Sequence, residues 1–154
     1  MCGLGDIMKY SQGSLGRVFV LRLEDGDRIP DTIESFAAEH DIQRAFCALL
    51  GGVGPGRLVV GPVDGGASPV EPMYQAIENI HEAAAVGTLF PNADGEPKLH
   101  MHSALGRASE ARTGCVRAGL DIWKIAEVVI LELTGLSMTR RLNQATGFEM
   151  LEEQ

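Results

Sequence analysis

The segment Lys98-Leu99-His100-Met101-His102 places two of the chain's four histidines two residues apart. Side chains of an extended strand alternate between faces, so His100 and His102 point the same way, their backbones roughly 6.5 Å apart along the strand. Two imidazoles at that spacing can converge on one cation, and a third ligand has to come from another element. After His102 the chain runs through LGRASEARTG to Thr113-Gly114-Cys115-Val116. If a hairpin turns at Ala108 and Ser109, the constant index sum of an antiparallel pair sets Cys115 opposite His102 and Arg117 opposite His100. Two nitrogens and a thiolate favour zinc, although iron, nickel or copper could occupy the same geometry, and three protein ligands leave a position for water or substrate. The same residues admit a plainer reading, in which the histidines line a polar sheet face and Cys115 fills space. A register slip of one residue would turn Cys115 away.

Other residues could join such a site. Glu127 shares its expected strand face with Ile125, Val129, Leu131 and Leu133, and a carboxylate among aliphatics needs a partner. A salt bridge to Lys124 or an arginine would satisfy it; so would a role beside a metal-bound histidine, or as a base acting on a metal-bound water. His81 and Glu82 could approach from a neighbouring strand, though no spacing demands it. Cys47 lies in an apolar run and reads as core. Tyr74 and Trp123 read as packing or interface residues. The glycines of GGVGPG do not form a phosphate cradle, because Pro55 and RLVVG lead into a strand where a phosphate loop leads into a helix.

The elements that must position these residues are legible in outline. Arg17–Leu23 suits a mostly buried strand that ends at the turn Glu24-Asp25-Gly26-Asp27. Pro30 opens a helix, with Asp31 and Glu34 at its favourable end and an apolar stripe of Ile33, Phe36 and Ala37; it should run to about His40. Strands are expected over 43–50 and 57–60, separated by the glycine break, and residues 61–72 form a surface loop. The stretch MYQAIENIHEAAAVGTLF is divided between helix and strand preferences. Asn92–Gly95 is a turn, Lys98–Ala104 a strand, and a second break falls at 106–110. Ile125–Leu133 reads as a strand buried on both faces in the middle of a sheet, and 147–151 as a final edge strand after a polar tail.

Composition narrows the function classes. A chain of 154 residues with 45% hydrophobic and 22% charged residues fits one globular domain, with its core at about 16–151. Three cysteines, with no Cys-x-x-Cys, suit free thiols in a cytoplasmic protein. The N-terminus has neither the basic start nor the apolar run of a secretory signal, and no segment reaches the ~20 apolar residues of a membrane span. A net charge of −8 without a basic run disfavours binding to duplex DNA, which needs a cationic face to displace counterions.

Taken in order, RVFVLRLEDGDRIPDTIESFAAEHDIQRAFCALLGGVG, HEAAAVGTLFPNADGEPKLHMHSALGR, TGCVRAG and AEVVILEL resemble the PPC domain, also written PCC or DUF296, over roughly Gly16 to Leu133. The resemblance implies an α/β (α+β) domain, with a largely antiparallel twisted sheet packed with helix, and it turns the ambiguous His81–Phe90 segment toward strand. It also implies a homotrimer with sites near subunit contacts. Prokaryotic members pair Leu-His-x-His with a Gly-Gly-His on the following strand. That pattern implies metal ligands at His100 and His102, with Cys115 in the third place, since Thr113-Gly114-Cys115 stands where Gly-Gly-His would. Plant members carry AT-hooks and chromatin-linked roles, and stand-alone prokaryotic members are often labelled DNA-binding; this chain has no Arg-Gly-Arg-Pro hook. The functions to be separated are a metal-binding protein, a DNA-associated regulatory or scaffolding protein, and a metal-dependent enzyme on a small molecule.

Overall fold

The computed structural model describes residues 8–153. Along the chain come β1 (Ser14–Glu24), β2 (Arg28–Ile29), α1 (Asp31–Glu39), β3 (Ala45–Pro62), β4 (Pro72–Ile77), β5 (His81–Pro91), β6 (Pro97–Arg107) and β7 (Glu110–Cys115). A 3₁₀ turn over Val116–Ala118 leads to β8 (Leu120–Thr134), β9 (Met138–Leu142) and β10 (Glu149–Glu153). The main sheet has eight antiparallel strands on the path β1-β8-β3-β5-β6-β7, with β2 on β8 and β4 on β3. At its far end β7 returns to β3, where Cys115 pairs with Val59, so that β3, β5, β6 and β7 form a closed circuit of pairs. The architecture is thus mostly antiparallel sheet with one short helix.

Period-two alternation sets one face inward. Leu23, Cys47, Leu49, Leu89, Leu99, Met101, Val128 and Ile130 are buried together with Ile33 and Ala37 of α1. The helix is short for independent stability and is held by this apolar stripe and by polar ties to β6. The Leu99 amide donates to Glu34 Oε1 at 2.9 Å, and Lys98 Nζ lies 3.5 Å from Glu34. Cys47 belongs to this core, where burial pushes its thiol up to about 12 and keeps it unreactive. Cys2 lies outside the described residues.

Three expectations need correction. The GGVGPG glycines do not separate two strands: β3 runs through them, and the irregularity is taken up as register shifts against β8 between Gly51 and Gly56, the behaviour of bulges. β8 lies between β1 and β3 as expected, but only one of its faces is buried, since Val129 on the other remains 38% exposed. β1 is likewise an edge strand open on one side, with Val20 73% exposed. The final strand, β10, is an edge strand as expected, paired with β9 in a separate two-stranded sheet. Conversely, the segment with divided preferences is strand in β4 and β5, because pairing with β3 overrides the helical propensity of its alanines and glutamates.

One ion pair ties the open edge to the sheet. Arg17 grips Glu132 bidentately, Nε to Oε2 at 2.8 Å and Nη2 to Oε1 at 2.7 Å, and its amide adds a third bond at 3.0 Å. These hydrogen bonds from the Arg17 side chain, then its backbone, pull the Glu132 carboxyl from its ordinary 4.5 down to about 2. The stabilisation is therefore full above the unfolded carboxyl value and disappears as pH falls through about 2. Glu132→Gln is expected to lower Tm by a few degrees at neutral pH, with the gap to the unmodified protein closing as melts are taken to ever lower pH. A gap that persists undiminished at pH 2 would contradict this account.

Candidate metal centre

The hairpin that carries the candidate ligands has the expected register. β6 and β7 turn through Ala108 and Ser109, Arg107 pairs with Glu110, and His102 pairs with Cys115. His100 and His102 lie on the outer face of β6, opposite the buried Leu99, Met101 and Ser103. Their Nε2 atoms are 3.1 Å apart, with ring centroids 5.0 Å apart at 72°. Cys115 is only 4% exposed, and the three ligand atoms all lie within 4.8 Å of one another.

Close backbone approach explains the two small residues around this group. Gly87 pairs with Met101, between the two histidine positions, and a Cβ there would stand 2.6 Å from the His100 carbonyl oxygen. Gly114 precedes Cys115, and a Cβ there would stand 2.7 Å from the Val59 carbonyl oxygen. Both distances are shorter than a real side chain tolerates, so glycine at these positions lets the neighbouring strands hold β6 and β7 in place.

The donor set suits a borderline-soft divalent ion. Tetrahedral zinc, with bonds of about 2.0–2.1 Å to nitrogen and 2.3 Å to sulfur, separates its ligands by roughly 3.3–3.6 Å. The imidazole pair, at 3.1 Å, already approaches that spacing, and with all three ligand atoms within 4.8 Å a side-chain adjustment of at most about 1–1.5 Å completes it. His100 is held below its ordinary pKa by burial first, then by the charges of Arg140, His102 and Arg117. Its ring is therefore neutral at pH 7 and free to act as a ligand.

Other expected participants lie elsewhere. Arg117 does not stand opposite His100, because strand pairing stops at Cys115 and Val116–Ala118 coils into the 3₁₀ turn. Glu127 shares a face with the histidines but pairs with Arg22 and Leu50, and three strand spacings of ~4.8 Å each separate β8 from β6. It forms no salt bridge among the described residues; Lys124 instead pairs with Asp25. His81 points to the inner face at the other end of β5, its Nδ1 2.7 Å from the Asn79 carbonyl oxygen. Clefts of about 320 and 690 Å³ beside Arg107, lined in part by His81 and Trp123, include none of the three ligands.

One neighbour was not foreseen. Arg140 on β9 donates from Nη2 to the Thr88 carbonyl and to Thr88 Oγ1, both at 3.1 Å, and from Nε to the Lys98 carbonyl at 3.4 Å. Thr88 is the cross-strand partner of His100, so the guanidinium sits on the histidine face. The sequence offers little warning, since the alternation in MTRRL is too short to announce a strand.

These features define a mostly antiparallel sheet protein with a His-x-His strand and a cross-strand cysteine. The model of the Plants and Prokaryotes Conserved (PCC) domain matches residues 10–134, and the chain belongs to that family. Among solved structures it is similar to a metal-containing protein of Archaeoglobus fulgidus, at 24% identity and a TM-score of 0.83, over 95% of this chain and 100% of that one. A plant- and prokaryote-conserved protein of Pyrococcus horikoshii gives 21% identity and a TM-score of 0.79, over 94% and 99% of the two chains. A protein of Bacteroides thetaiotaomicron, provisionally named as DNA-binding, gives 16% and 0.76, over 92% and 97%. At these identities the likeness establishes the fold. No match is found among curated proteins.

Proposed function

We propose that the chain is one PCC domain, with its core at about 16–151, that binds a divalent metal ion through His100, His102 and Cys115. Zinc is the first choice for two nitrogens and a thiolate. The observation that carries this reading is the convergence of the three ligand atoms to within 4.8 Å on a paired hairpin. The likeness to a metal-containing archaeal protein supports it. A bound ion would act as a Lewis acid at its remaining position, and the exposed histidines leave that position reachable.

The reading includes self-association. The outer face carries Val18, Val20, Phe46, Leu50, Val86 and Val129 exposed, a larger set of apolar side chains than a sheet normally leaves to water. Register sets Val20, Val129 and Val86 in one continuous row, Val20–Val129–Ala48–Val86–His102–Cys115. As the family resemblance implies, three copies would bury the apolar part of this face and leave the metal site near the contact, in a cytoplasmic protein with reduced thiols. No helix among the described residues is long and apolar enough to cross a membrane.

Metal analysis of untagged protein tests the site. Near-stoichiometric zinc is expected in the unmodified chain and its loss in a His100→Ala/His102→Ala double variant; equal trace metal in both would sink the reading. The provisional name of the Bacteroides neighbour motivates a second function, a DNA-associated scaffold, against which the net charge of −8 weighs. Binding to random duplex DNA that weakens steeply with salt would support it; none at low salt would dismiss it. A small-molecule enzyme is the third reading, and with Glu127 three strands away its proton transfer would need another group.

A further inference from the structure

Seven cations among the described residues have a carboxylate within 4 Å: Lys9, Arg17, Arg22, Arg28, Lys98, Arg112 and Lys124. Arg140 has none, although it is 6% exposed and sits in a chain with 21 acidic residues against 13 basic ones. Burying a guanidinium without a counter-ion is costly, and hydrogen bonds to carbonyls satisfy its donors without neutralising its charge. Those bonds use Nε and Nη2, the guanidinium also lies 5.8 Å from the Phe90 ring centroid, and Nη1 makes no hydrogen bond among the described residues. Arg117, exposed in the turn directly after Cys115, also lacks an ion pair or hydrogen bond among the described residues, and Arg140 is bonded to Thr88, the cross-strand partner of His100.

The groups facing the ion are positive, and the carboxylates that act on Arg140, Glu149 and Glu34, do so from beyond 4 Å. A divalent ion with two neutral imidazoles and one thiolate retains a single positive charge, and two guanidiniums add to it. We propose that His100, His102, Cys115, Arg140 and Arg117 together form a receptor for a small oxyanion, the carboxylate or phosphate end of a ligand, held between the ion's remaining position and the Arg140 guanidinium. This inference rests on the metal reading above and names the class of ligand that the same site takes. Guanidinium matches the planar fork of a carboxylate or phosphate, and charge-assisted bonds of this kind are the strong ones. The carbonyls of Thr88 and Lys98 position Arg140 before a ligand arrives, which lowers the ordering cost of binding.

Untagged protein loaded with cobalt, its content fixed by elemental analysis, is titrated with malonate and with inorganic phosphate, read by calorimetry and by the visible spectrum of the metal. One anion per chain is expected from at least one probe, with a spectral change that reports entry at the ion; which probe binds separates a carboxylate from a phosphate ligand. Arg140→Gln should weaken that binding by about 10- to 100-fold at unchanged cobalt content, and Arg117→Gln less. Arg140→Lys, which keeps the charge and loses the fork, should fall between and serves if the glutamine variant does not fold. Full cobalt loading with no response to either probe, or equal binding by every arginine variant, overturns the inference and leaves the metal reading standing. Failure to take up cobalt overturns both.

Discussion

Cys115→Ser is expected to lower the affinity for zinc by about 10²–10³-fold, while His100 and His102 retain weak binding. Structural zinc sites yield about 10–16 kcal/mol of apparent binding energy at pH 7 over four ligands, so one strong ligand carries on the order of 3–4 kcal/mol. A serine hydroxyl stays protonated and hard where the thiolate is charged and soft, so it does not replace that contribution. The position itself is well determined: Cys115 is paired to His102 on one side and to Val59 on the other, so serine should sit where sulfur did. Cys115→His is the complementary change. It creates the three-imidazole set that the resemblance associates with prokaryotic members and should restore much of the affinity, with the added bulk resisted by a site only 4% exposed. Cobalt substitution separates ligand loss from unfolding, because thiolate-to-cobalt charge-transfer absorption is expected in the unmodified chain and absent from both variants. Its persistence in Cys115→Ser would remove Cys115 from the ligand set. Cys47→Ser is the control: its thiol lies in the core, so the substitution should cost stability and leave the cobalt spectrum unchanged.

The candidate centre was legible because it depends on local rules. His-x-His on a strand shares a face by pleat alone, and a two-residue loop at Ala108 and Ser109 fixes the index sum that brings Cys115 to His102. The helix was legible from its stripe and its acidic first turn, and α1 ends at Glu39, one residue short of the expected His40. What failed was long-range. Apolar residues at Val18, Val20 and Val129 read as burial on both faces, yet alternation cannot say whether a second layer of the same chain covers the second face. Arg117 was misplaced because the hairpin rule extends a ladder indefinitely, whereas β7 stops where its end turns to pair with β3. Glu127 was linked to the histidines by a shared face, and only strand order shows β3 and β5 lying between. Arg140 was invisible because its role depends on β9 folding back over Thr88, a contact that separates the two residues by 52 positions.

The open apolar face leads to the second large effect. Val129→Glu is expected to convert the proposed trimer into monomers at micromolar concentration, as light scattering after size exclusion would report. Val129 lies within the uncovered row, between Val20 on β1 and Ala48 on β3. In the lone chain it is 38% exposed, so glutamate there is solvated and the monomer should keep its strand content and most of its thermal stability. In an assembly that buries this face, each copy would bring an unpaired carboxylate into the contact, at an effective cost of several kcal/mol per ion. That multiplied penalty exceeds what loss of the valine contact alone would produce, which Val129→Ala measures separately. The three proposed ligands come from one hairpin of one chain, so the monomeric variant should still bind an ion. If it loses metal together with assembly, the ion is held jointly by neighbouring copies and the single-chain ligand set is incomplete. If instead the unmodified chain is already monomeric, the exposed valines need another partner and the proposal of self-association fails, while the His100–His102–Cys115 centre stands on its own geometry.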